Sequence, residues 1–142
     1  MLWFARGNLR QRVNDSHCFL VDRYCAHRQN NSVGMAQLSI LSLNCHGFNF
    51  GTLSYLKDKC NSFDVILLQE TWLSMETSRK LDDISPDFTV IHSSAMENKV
   101  HDNYFVGRPF GGTAVLYNKR LSCTVNRIDT NTSRCTSVKL SF

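Results

Sequence analysis

The chain has 142 residues, a formal net charge of +4 and 42% hydrophobic content, enough for one domain with a real core. No stretch approaches the roughly 18 apolar residues that a bilayer span requires. Met1-Leu-Trp-Phe-Ala-Arg6 lacks the uninterrupted apolar run of a secretory signal, so the expectation is an intracellular protein, neither secreted nor carried in a membrane.

Residues 1–34 open the chain as a basic extension. They hold five arginines against two aspartates, a net +3, and their apolar residues follow neither a helical nor a strand period. Gln29-Asn-Asn-Ser-Val-Gly34 reads as a loop-like joint. The expectation is a disordered extension, with a nucleic-acid-holding arm as the sharper alternative. The six cysteines show no paired spacing and are expected as free thiols, Cys45 and Cys60 as small hydrophobes. Cys18, Cys25 and His27, with His17 nearby, fit no standard zinc spacing.

Residues 35–142 form the patterned domain. Residues 37–45 predict a buried strand, and Gly47-Phe-Asn-Phe-Gly51 a turn. Thr52 is placed to cap a short helix running to about Cys60, with Leu53, Leu56 and Cys60 on one stripe. Phe63 to Leu68 predict a second, nearly continuous apolar strand. Strand, helix, strand with two apolar strands implies a crossover and parallel pairing. Continuous hydrophobicity implies that both faces of the sheet are covered. Ser74 to Ile84 suggest a helix, ended by Pro86. A strand at 87–92 follows, then a long irregular loop at 93–110. Gly111 to Tyr117, 121–128 and 135–142 complete the strands.

The chemistry concentrates where the first two strands of this region end. Leu38-Ser-Ile-Leu-Ser-Leu-Asn-Cys-His-Gly47 and Asp64-Val-Ile-Leu-Leu-Gln-Glu-Thr71 each stop in groups able to ligate a hard cation: Asn44 in one, Gln69 and Glu70 in the other. Magnesium prefers oxygen ligands, few protein carboxylates and several waters. An exposed acid following a strand, or an asparagine satisfying its own turn, is the plainer reading of each residue alone.

Three segments in order resemble the front part of an endonuclease/exonuclease/phosphatase domain of the kind carried by non-LTR (LINE-type) retrotransposons. They are Leu43-Asn-Cys-His-Gly-Phe-Asn49, Asp64-Val-Ile-Leu-Leu-Gln-Glu-Thr-Trp-Leu73 and Gly107-Arg-Pro-Phe-Gly-Gly-Thr-Ala-Val-Leu-Tyr117. The resemblance covers residues 36–142. It implies a two-sheet α/β sandwich of the DNase I-like type, here truncated, that hydrolyses phosphodiesters with Mg2+ or Mn2+. It places Asn44 and Glu70 as the catalytic, metal-holding residues, with DNA as partner and no small-molecule cofactor. A nuclear location would fit such a substrate.

The chain departs from the family at His46, where many relatives carry an acidic or amide residue, and it lacks the family's later motifs. Asp129-Thr-Asn131 carries the bare letters of Asp-x-Asn but falls between early strands and reads as a turn. No histidine follows Ser-Asp. Lys99 and Arg108 are candidate DNA-backbone contacts, and a solvated loop with scattered charge is their bland alternative.

The expectation is therefore a fragment of a magnesium-dependent DNA endonuclease, inactive alone. It would be poorly soluble or self-associating through bare strand edges, and either a cropped gene model or a genomic remnant. The alternatives are a non-catalytic remnant that binds nucleic acid or protein, and a small α/β domain with a coincidental motif.

Overall fold

A computed structural model describes residues 18–26, 36–96, 100–101, 104–105, 107–132 and 134–142. Its strands are β1 (Cys18–Ala26), β2 (Ala36–Asn44), β3 (Val65–Gln69), β4 (Phe88–Ser93), β5 (Val100–His101), β6 (Tyr104–Phe105), β7 (Thr113–Asn118), β8 (Thr124–Ile128) and β9 (Ser137–Ser141). One α-helix, α1 (Phe50–Lys59), and short 3-10 turns at Cys60–Ser62 and Thr77–Leu81 complete the elements.

The apolar runs become the centre of a five-stranded sheet in the order β1-β2-β3-β7-β4. β2 and β3 pair in parallel across the α1 crossover, with Leu41 opposite Ile66 and Asn44 opposite Gln69. β7 runs antiparallel to both β3 and β4. Two two-stranded ribbons form separate sheets, β5 with β6 and β8 with β9. The architecture is mixed α/β with few helices.

One face of the sheet carries the core. Leu41, Ile66, Leu68, Ala114 and Leu116 pack with Leu56 and Cys60 of the helical crossover, and with Leu73, Leu81, Ile84 and Phe88. Burying Leu56 completely contributes about 2 kcal/mol by transfer alone. The other face is less closed. Val65 and Val115 are buried there, while Ile40, Leu67, Ile91 and Tyr117 are only half-buried. The continuous apolar runs predict cover on both faces; the packed cluster lies on one.

Several local expectations are corrected. The cap of α1 is Asn49, whose Oδ1 accepts from Thr52 N at 3.0 Å, so Thr52 lies inside the helix. The helix expected over Ser74–Ile84 is reduced to the 3-10 turn. Ser74 and Thr77 tie each other's backbone N–H groups with their hydroxyls, and Pro86 disfavours helical backbone at Ser85. The loop at 93–110 contains the β5–β6 pair. The strand expected from Gly111 begins at Thr113, because Gly111 and Gly112 hold φ of +61° and +82°, outside extended backbone.

The segment expected to be disordered, residues 1–34, contains β1, which pairs antiparallel with β2. Cys18-Phe-Leu-Val21 carries strand-favouring residue types, and β2 offers it a free edge. The register shifts between Val21 and Tyr24, which obscures a strand period in the sequence. His17 and His27 of the considered zinc set lie outside the described residues. Cys45, Cys60, Cys123 and Cys135 are free thiols, and burial pushes Cys45 up to about 12, which makes it inert.

Candidate functional site

Parallel pairing brings the carboxyl ends of β2 and β3 to one rim. Asn44 faces Gln69 across the ladder, and the chains stay bonded as they leave it. Cys45 N donates to Gln69 O at 2.8 Å, Gly47 N to Glu70 O at 2.8 Å and Phe48 N to Thr71 O at 2.9 Å. Asn44 and Glu70 are thus on adjacent strand ends. Their side chains make no direct hydrogen bond to each other. Asn44 Oδ1 accepts from His46 N at 3.0 Å, an Asx-type turn.

Glu70 is held from two sides. Its Oε2 accepts from the Trp72 indole Nε1 at 3.0 Å and from Gly111 N at 3.3 Å. Among the described residues no group donates to its Oε1. The backbone around it is unusual: His46, Glu70 and Trp72 have φ of +48°, +52° and +57°. Left-handed backbone at non-glycine residues costs on the order of 1–3 kcal/mol each and clusters at working sites.

The glycines make this geometry fit. A Cβ on Gly47, at φ +95°, would lie 2.6 Å from Trp72 Cε3. A Cβ on Gly112 would lie 2.5 Å from Thr71 Oγ1. Trp72 N and Thr71 N donate to Gly111 O and Gly112 O, so the loop before β7 is laced to the loop after β3. Thr71 is fully buried, and its Oγ1 has no partner among the described residues. The His46 ring sits 5.2 Å from the Trp72 ring, tilted by 49°, which gives that exposed histidine a packing role in the turn.

One carboxylate oxygen without a donor among the described residues and one amide oxygen, on adjacent strand ends, suit the protein's share of a magnesium or manganese site, which keeps most of its waters and takes phosphate oxygens. No group of three or more His, Cys, Asp or Glu side chains is assembled among the described residues. Gln69 does not join it. Its Nε2 donates to Ser42 Oγ at 3.1 Å, which orients neighbours. Arg108 is exposed on the loop before β7. Lys99 lies outside the described residues. Asp129-Thr-Asn131 falls in the exposed turn between β8 and β9.

Sequence reasoning missed the role of Asp64. It sits at the opposite end of β3 from Glu70 and fastens three strands. Asp64 Oδ2 accepts from Ser39 N and Ser39 Oγ at 2.8 Å each, and Oδ1 from Arg120 Nη2 at 2.9 Å. Asn118 N donates to Asp64 O at 2.8 Å. Partial burial raises the carboxyl's pKa, but the Ser39 and Arg120 bonds outweigh it and hold the group below its ordinary value. The Trp72–Glu70 clamp was also missed, since no strand or helix period relates the two.

No helix among the described residues is long and apolar enough to cross a membrane. No match is found among curated proteins. A family model described as "Endonuclease/Exonuclease/phosphatase family" matches residues 41–137, a span that contains both strand ends, the Gly111-Gly112 pair and the β8 strand.

Proposed function

The chain belongs to the endonuclease/exonuclease/phosphatase family, and from that premise we propose that it is the N-terminal part of a magnesium-dependent DNA endonuclease of a retroelement. The observation that carries the reading is the placement of Asn44 and Glu70 on adjacent parallel strand ends, with one Glu70 oxygen fixed by Trp72 and Gly111. The family is generally dependent on divalent metals and generally acts on nucleic acids. When bound, a magnesium ion would neutralise phosphate and stabilise the leaving oxygen.

The chain's own residues do the holding. Glu70 supplies the charge. Asn44 supplies a neutral oxygen and shapes the turn. Trp72 and the Gly111 amide fix the carboxylate so that it does not collapse onto another partner. A general base is a separate requirement, and no Asp-x-Asn in the later position or Ser-Asp-His is present in the sequence. This chain alone is therefore proposed to bind metal without turnover, inside the cell and with access to nuclear DNA. Arg108 and Lys99 are the proposed backbone contacts. Self-association through β4, an outer strand of the sheet, is proposed as well.

Plasmid nicking and Mn2+ binding on the full chain test this together. Expected are Mn2+ binding that Glu70→Ala abolishes and no nicking in Mg2+ above the Glu70→Ala background. Equal Mn2+ binding by both proteins would overturn the metal assignment. Nicking that disappears in Glu70→Ala would overturn the proposed inactivity.

A further inference from the structure

On the face that carries Asn44, the sheet is largely apolar until its last row. Ser42, Leu67, Val115 and Ile91 are register partners one step inward, three of them apolar. The outermost row is polar throughout: Asn44, Gln69, Thr113 and Ser93, consecutive partners across β2, β3, β7 and β4. Residues directly opposite in a ladder share a face, so this row forms one line of polar groups along the rim. Arg127 of β8 and Thr136, just before β9, meet its last two members. Thr136 Oγ1 lies 2.9 Å from Thr113 Oγ1, and Arg127 Nη2 donates to Ser93 Oγ at 3.0 Å.

Arg127 differs in this from Arg120. Arg120 is neutralised by Asp64 at 2.9 Å. No carboxylate among the described residues pairs with Arg127. Ser93 is 4% exposed, so its hydroxyl is a fixed anchor. A guanidinium has five donors, and tethering one of them to Ser93 leaves a positive fork held in place at the end of the row.

We propose that the rim along this row guides the DNA backbone, and that exposed Arg127, positioned by buried Ser93, grips a phosphate at the end away from Asn44. Three inter-strand steps of about 4.8 Å place that end about 14 Å away. One strand of a duplex carries a phosphate about every 3.4 Å of axis while winding round it, so a straight row of this length faces about two or three of them. The site so extended selects a polymer over a small phosphoester. The inference rests on the nuclease reading above and names the substrate length that reading leaves open.

Binding of the full chain to a fluorescent DNA duplex of roughly 12 base pairs, longer than the row, is measured against salt for the parent and Arg127→Gln, with a dinucleotide as the short comparator. In Arg127→Gln, duplex affinity is expected to fall about three- to tenfold at low salt, and the salt slope by about one counterion. The ratio of duplex to dinucleotide affinity falls with it. Unchanged affinity, or a loss with the slope intact, makes Arg127 a ribbon anchor only and overturns the proposal while leaving the metal reading standing. Absence of duplex binding by the parent chain overturns the proposal and the DNA reading together, while Mn2+ binding lost in Glu70→Ala still reports separately on the metal site. Should thermal melting show that Arg127→Gln loosens the ribbon, Ser93→Ala leaves the charge present but untethered. Affinity then falls about two- to threefold with the slope kept, and unchanged affinity there overturns the positioning claim.

Discussion

The indole Nε1 of Trp72 donates to Glu70 Oε2 at 3.0 Å across a turn in which both residues hold left-handed backbone. Two costly conformations are kept together because each side chain completes the other: the indole has a partner and the carboxylate has a fixed direction. Trp72→Phe keeps the ring over Gly47 and removes the donor. Partners that orient a ligand typically account for about 10–100-fold in metal affinity. Mn2+ affinity of Trp72→Phe, followed by electron paramagnetic resonance, is expected to drop by about tenfold with a melting profile close to that of the parent.

Gly47 is the floor on which that ring rests. Adding a Cβ meets Trp72 Cε3 at 2.6 Å and forces a φ of +95° on a residue that resists it. Gly47→Ala should destabilise the chain by about 2 kcal/mol and move the tryptophan emission, since the indole must shift. Urea unfolding and fluorescence read both. A neutral effect on each would show that the turn does not hold the ring.

How much of this was legible beforehand follows the range over which each feature is written. β2, β3, their parallel pairing and the α1 stripe are encoded by residue type within short windows, and Leu53, Leu56 and Cys60 fall where the 3.6-residue period puts them. The adjacency of Asn44 and Glu70 follows from that pairing alone. The clamp on Glu70 was not legible, because it depends on positive φ at glutamate and tryptophan, which residue type argues against. β1 was hidden by its register shift. The span Ser74–Ile84 has helical spacing at Leu81 and Ile84, but hydroxyl groups compete for its backbone.

Asp64 carries the pH dependence. Its folded-state pKa lies below the ordinary value of 3.8, so its stabilisation is fully present above that value. It is lost as pH falls below it and through the depressed folded-state pKa. Arg120 is half exposed, so the contribution comes mainly from the Ser39 bonds and survives moderate salt. Urea midpoints should therefore fall as pH is lowered from about 4, and Asp64→Asn should flatten that fall. Removing the carboxylate costs about 2 kcal/mol at neutral pH. An identical pH profile in Asp64→Asn would show that another group dominates.

β4 ends the sheet order, and among the described strands it pairs on one side only, through β7. Unpaired backbone on an outer strand recruits other chains. Size-exclusion elution of the full chain should move to larger species with rising concentration, and Ile91→Lys should restore the smaller species. Monomeric elution at all concentrations would contradict the proposed self-association.

The proposed cation site at the ends of β2 and β3 is tested most directly by paramagnetic broadening of the backbone amide resonances on adding Mn2+. Broadening centred on Asn44 to Phe48, Gln69 to Trp72 and Gly111, and lost in Glu70→Ala, is the expected result. Broadening centred instead on Asp82, Asp83 and Asp87, with the two strand ends untouched, would contradict it.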